Sequence, residues 1–125
     1  MLETSVCVAL IRGRAAEARL PEASECVLSV ITLAELEVGV RRSVRPAAQR
    51  KAVEAFTGIF EVLPWDLKTT GYYGDLRVDL EKRGLVIGPL DMLIAAHVLR
   101  LGATLVTANF REFQRVVNLP CLEWK

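Results

Sequence analysis

Gly88-Pro-Leu-Asp-Met-Leu-Ile-Ala-Ala-His97, continuing through Val98-Leu-Arg-Leu-Gly102 to Thr104-Leu-Val-Thr107, is the stretch whose reading decides the fold. Gly88 and Pro89 are turn and helix-start residues, so a helix opens there with Asp91 in its first turn and Leu90, Leu93, Ile94 and Leu101 on its apolar side. Gly102 stops the helix, and Thr104 to Thr107 follows as a short buried strand entering a polar turn with Asn109 and Glu112. A helix delivering a carboxylate at its start and a strand delivering polar groups at its end is half of a βαβ unit.

The same alternation extends in both directions. Met1 and Leu2 read as the remnant of a first strand, so either the natural chain starts upstream or this strand is stunted. Thr4 to Arg12 reads as a helix with Val6, Leu10 and Ile11 inward, and Gly13 to Glu25 as a polar connection with room for a helical turn. Cys26 to Val30 is a short strand, after which Thr32 caps a helix through about Arg42. Pro46 starts another helix, with Ala52, Val53, Phe56, Ile59 and Phe60 at three- and four-residue steps. Glu61 to Leu63 is a third strand, broken by Pro64. Asp66 caps a long helix with Tyr73, Leu76 and Leu80 inward and Gly84 at its stop, and Cys121 to Glu123 is a final extended piece. Strands separated by helices imply right-handed crossovers and a mainly parallel sheet of about five strands, covered on both faces. Ligands collect at the carboxyl ends of such strands.

Composition narrows the function. The 125 residues form one domain, and a hydrophobic fraction of 52% is enough for an ordinary core. No apolar run approaches the ~20 residues of a membrane span, and no secretory leader is visible, so a soluble cytoplasmic protein is expected. Cys7, Cys26 and Cys121 lie far apart among apolar residues, which suits reduced thiols better than a disulfide framework or a zinc site. A formal net charge of +1 excludes binding of polyanions by bulk charge alone. Nucleic-acid contact must then be local, with Arg41, Arg42, Arg45, Arg50 and Lys51 as the evident basic cluster.

Glu3, Glu35, Asp91 and Glu112 each begin or precede a helix near a predicted strand end. Each also has a structural explanation. Thr32-Leu-Ala-Glu35 matches a capping box, Asp91 offsets a helix dipole, Glu112 can pair with Arg111 or Arg115, and Glu3 can be a terminal charge. Taken together they suggest one pocket, where crowded carboxylates would repel unless protonated or bridged by a cation. Oxygen ligands with open positions favour Mg²⁺ or Mn²⁺, ions that act on phosphate esters. His97 lies more than a turn beyond Asp91 and reads as a packed or hydrogen-bonded histidine rather than a general base. A phosphoacceptor receiver domain is excluded because Pro64-Trp65 follows the third strand and no Lys follows Thr107. Dinucleotide binding is excluded by the absence of a Gly-x-Gly-x-x-Gly turn.

Leu2-Glu-Thr-Ser5, Ile31-Thr-Leu-Ala-Glu-Leu36 with Gly39, Gly88 to His97, Val106-Thr-Ala-Asn-Phe-Arg-Glu-Phe113 and Leu122-Glu-Trp124 together resemble the PIN-domain toxins of VapBC toxin–antitoxin modules. The resemblance spans nearly the whole chain and is nearest to the enterobacterial-type toxins that cut initiator tRNA in its anticodon stem-loop. It implies an α/β/α sandwich and a Mg²⁺- or Mn²⁺-dependent endoribonuclease leaving a 5′-phosphate and a 3′-hydroxyl. Carried over by position, Glu3, Glu35, Asp91 and Glu112 are the acidic catalytic and metal residues. Thr4, Ser5, Thr107 and Asn109 support them, and Arg41 and Arg42 are expected to face RNA. The resemblance also implies a homodimer and a cognate antitoxin that forms an operator-binding complex with the toxin. The family's first acid is normally Asp, and Glu3 raises a second expectation: a catalytically weakened PIN domain acting mainly through its antitoxin.

Overall fold

A computed structural model describes residues 1–14 and 20–125. Among the described residues there are six α-helices and four three-residue strands: α1 Thr4–Ile11, β1 Val27–Ser29, α2 Val30–Arg42, α3 Pro46–Thr57, β2 Glu61–Leu63, α4 Thr69–Arg83, α5 Pro89–Leu101, β3 Leu105–Thr107, α6 Phe110–Phe113 and β4 Cys121–Glu123. A single 3₁₀ turn, Ala23–Glu25, precedes β1. Part of the Gly13 to Glu25 connection, residues 15–19, lies outside the described residues.

Strands β1 and β2 pair in parallel, as do β3 and β4. The opening residues join the two pairs. Leu2 bridges Val106 in parallel, the Leu2 N–H donates to the Val27 carbonyl at 3.1 Å, and the Glu3 N–H donates to the Val106 carbonyl at 2.9 Å. The spatial order is therefore β2, β1, Met1–Glu3, β3, β4. The first strand is stunted to one bridge, yet it occupies the centre of the sheet. From there the chain works outward through β1 and β2 on one side, then crosses to β3 and β4 on the other. That reversal leaves a crevice beside Glu3 at the carboxyl end.

Both faces of the sheet are buried, as expected for parallel strands under crossover helices. Met1, Val27 and Leu105 pack with α4, α5 and Phe113, whereas their successors Leu2, Leu28 and Val106 pack with α1, α2, α3 and Trp124. The two-residue alternation thus feeds two separate hydrophobic layers.

Several local expectations are corrected. Thr32 does not cap α2; Ser29 does, accepting from the Ile31 N–H at 3.1 Å, and Thr32 lies buried inside the helix. Asp66 does not cap α4, which begins at Thr69; its carboxylate instead accepts from the Thr69 hydroxyl at 3.0 Å. Helix α3 ends at Thr57, so Ile59 lies beyond it and is exposed, while Ala52 is exposed within the helix. On α5, Leu90 and Leu101 are exposed, and the buried side is Met92 and Ile94 through Val98. Helices α4 and α2 flank this helix in addition to the sheet, so it is buried over more of its circumference than one apolar stripe would be.

Candidate metal centre

Glu3 is the least exposed carboxylate of the set, at 2%. It is the N-cap of α1, and its Oε2 accepts from the Ser5 N–H at 2.9 Å, from the Thr107 hydroxyl at 3.0 Å and from the Ser5 hydroxyl. Burying an ion without such partners would be prohibitive. Oε1 has no protein donor among the described residues and faces the crevice. Ser5 and Thr107 also shape the turn after β3, since the Ala108 N–H donates to Ser5 Oγ at 3.1 Å and the Asn109 N–H to Thr107 Oγ1 at 2.9 Å.

Glu35 sits on α2, and its Oε1 accepts from the Thr4 hydroxyl at 2.8 Å; Thr4 also contacts the Thr32 hydroxyl at 3.1 Å. Half-burial raises the Glu35 pKa, the Thr4 hydrogen bond opposes the rise, and Glu3 adds to it. Asp91 stands in the first turn of α5 with its carboxylate folded back over Gly88, where an added Cβ would lie 3.2 Å from Oδ2. Its pKa is pushed up to about 6, first by burial and then by Glu3, Glu35 and Glu112. Asp91 therefore feels the charge of the other three acids, and Glu35 that of Glu3.

A cavity of about 500 Å³ is lined by Glu3, Thr4, Ser5, Glu35, Asp91 and Asn109, among others. Glu112 is exposed and lines an adjoining cavity with Asn109 and Glu123. Among the described residues, no three of the His, Cys, Asp and Glu side chains come close enough to enclose one ion. Four acids around a single cation are thus not what the geometry presents. The donor set still fits a hard cation, because Mg²⁺ keeps several waters and is commonly held by one or two carboxylates.

The two arginines expected at RNA differ in placement. Arg41 is paired with Glu37 at 3.0 Å, a carboxylate that Arg50 also grips, whereas Arg42 lines cavities that adjoin Glu35. Sequence reasoning missed Arg12 and Arg14, which line the acidic cavity at the end of α1. Arg12 is the C-cap of that helix, a position where a cation is common for dipole reasons alone and so gives no functional signal. It also missed Gly88, whose role depends on the Asp91 rotamer.

A parallel α/β/α sandwich with acids gathered at its switch point is matched by a family model described as PIN domain, over residues 1–119. The chain belongs to the PIN-domain family, in its VapC ribonuclease branch. It is 37% identical to Ribonuclease VapC2 of Rickettsia felis, covering 99% of this chain and 96% of that protein. It is 34% identical to the tRNA(fMet)-specific endonuclease VapC of Shigella flexneri, with the same coverage. Among solved structures, VapBC2 of Rickettsia felis bound to a promoter DNA fragment matches with a TM-score of 0.88 at 34% identity, over 100% of this chain and 98% of that one. DNA-bound VapBC of Salmonella typhimurium matches with a TM-score of 0.89 at 32% identity, over 100% and 97%.

Proposed function

We propose that this chain is the toxin of a VapBC-type toxin–antitoxin pair and cuts tRNA, with initiator tRNA as the foremost substrate, using Mg²⁺ or Mn²⁺. The observation that carries this reading is the meeting of Glu3, Glu35 and Asp91 in one cavity, with Asp91 raised to about 6 by burial and by the neighbouring acids. Such a site is incomplete at neutral pH without a counter-charge. Glu3 and Asp91 would hold the cation, with Glu35 beside them and Glu112 at the rim. When bound, it supplies neutralisation at the phosphodiester and a more acidic water. The chain's own groups fix the geometry: Ser5 and Thr107 orient Glu3, Thr4 orients Glu35, and Ser5 and Thr107 also hold the Ala108–Asn109 turn beside the cavity. The name of the Shigella relative supports tRNA, and the DNA-bound VapBC complexes support an antitoxin and an operator-binding assembly. Within it this chain would form a homodimer.

A second reading, a weakened nuclease, rests on Glu3. Purified antitoxin-free protein incubated with total tRNA and Mn²⁺ or Mg²⁺ tests both. Cation-dependent cutting within one anticodon loop is expected, falling at least ~100-fold in Asp91→Asn. A silent native protein with an active Glu3→Asp variant would establish the weakened nuclease instead. Failure of both to cut any tRNA would sink the tRNA reading.

A further inference from the structure

His97 is the only histidine in the chain and is 1% exposed in the middle of α5. Its Nδ1 lies 2.8 Å from Ser29 Oγ, the same oxygen that caps α2 by accepting from Ile31. No other acceptor for the Ser29 proton exists among the described residues, so Ser29 donates to Nδ1 and Nε2 carries the ring proton. With this tautomer Nε2–H falls short of a full hydrogen bond but is favoured by the Pro64 backbone, where the alternative leaves Nε2 and the Ser29 hydroxyl both unsatisfied.

The placement of this contact is what matters. Ser29 lies six residues before Glu35 on α2, and His97 lies six residues after Asp91 on α5. At 1.5 Å of rise per residue, each acid stands about 9 Å along its helix from the same cross-link. Val27 and Ile31 of the β1–α2 junction also pack against the apolar cluster that contains Ile94, Ala95 and Val98 of α5, contacts that are non-directional.

We propose that His97 is a positioning residue of the acidic pocket: its contact with Ser29 fixes α2 against α5 and thereby sets the reach between Glu35 and Asp91. The inference rests on the cation-dependent reading above. It assigns a task to a buried polar contact that an apolar pair of similar shape could otherwise replace.

The test is Mn²⁺ binding to the intact protein, followed by electron paramagnetic resonance, in native, His97→Leu, His97→Asn and Ser29→Ala forms, each checked for native circular dichroism. His97→Leu keeps the Ser29 cap and fills the space, and it is expected to need about tenfold more Mn²⁺. His97→Asn places Oδ1 near the former Nδ1 position, where it can accept from Ser29, and is expected to recover most of the affinity. Ser29→Ala removes the α2 cap together with the link and should bind Mn²⁺ at least as weakly as His97→Leu; if the leucine variant does not fold, His97→Met, which also keeps the Ser29 cap, takes its place. Native Mn²⁺ affinity in a folded His97→Leu or Ser29→Ala protein overturns the inference, as does an asparagine variant no better than leucine. A native protein that binds no Mn²⁺ brings down the cation-dependent reading and this inference with it, an outcome recognisable before any variant is compared.

Discussion

At the scale of single residues the pocket is governed by what each carboxylate leans on. Glu3 is one methylene longer than the Asp that the resemblance leads one to expect, yet three donors hold its Oε2, so the extra methylene is seated and not loose. Asp91 leans on a gap instead: Gly88 has no Cβ, and one built there would stand 3.2 Å from Asp91 Oδ2. Gly88→Ala should therefore displace the carboxylate by a few tenths of an ångström while sparing the fold, since the φ of −57° suits alanine. Misplacement on this scale is expected to lower the tRNA cleavage rate by about tenfold with little change in thermal midpoint. Unchanged cleavage in the alanine variant would mean that Asp91 need not occupy this position.

At the scale of elements, the ends of α5 are legible because their signals are local: Pro89 at the start, Asp91 in the first turn, and Gly102 at the stop with a φ of +63°. The cap of α2 was misread because Ser29 and Thr32 are equally good cap residues, and a three-residue strand offers too little pattern to place its end. The supports of the site were illegible for another reason. Thr107 reaches Glu3 across 104 positions and His97 reaches Ser29 across 68, and no local rule links residues so distant. Burial of the first turn of α5 has a pH consequence. Asp91 moves from an ordinary 3.8 to about 6 in the fold, so the folded state holds its proton more tightly than the unfolded chain does. This contribution to stability is complete below about pH 3.8 and is lost as pH rises through 6. In metal-free protein, Asp91→Asn should raise the thermal midpoint relative to native at pH 7.5, and the gain should shrink toward pH 4.5. Added Mg²⁺ should stabilise native protein at pH 7.5 more than at pH 4.5; an equal effect at both pH values would separate metal binding from Asp91 ionisation.

At the scale of the whole molecule, the puzzle is how a chain of net charge +1 with an acidic cavity attracts RNA. Long-range steering is weak, so affinity must come from arginines placed beside the acids. Arg41 and Arg50 are already engaged by Glu37, which leaves less of their charge for a phosphate. Arg12 and Arg42 line the same cavity beside Glu35 and have no acidic partner among the described residues. A strand passing from Asn109 over Asp91 and Glu35 would meet these two next. Because each phosphate contact releases counterions, losing one should lower the slope of log affinity against log salt by about 0.7 for single-stranded RNA. Binding of an anticodon stem-loop to the cleavage-impaired Asp91→Asn protein, measured across salt concentrations, is therefore expected to lose about twice that slope when Arg12 and Arg42 both become Ala. Arg41→Ala should change it little. Equal slopes for the double variant and its parent would place the RNA elsewhere on the surface, whatever the cleavage assay reports.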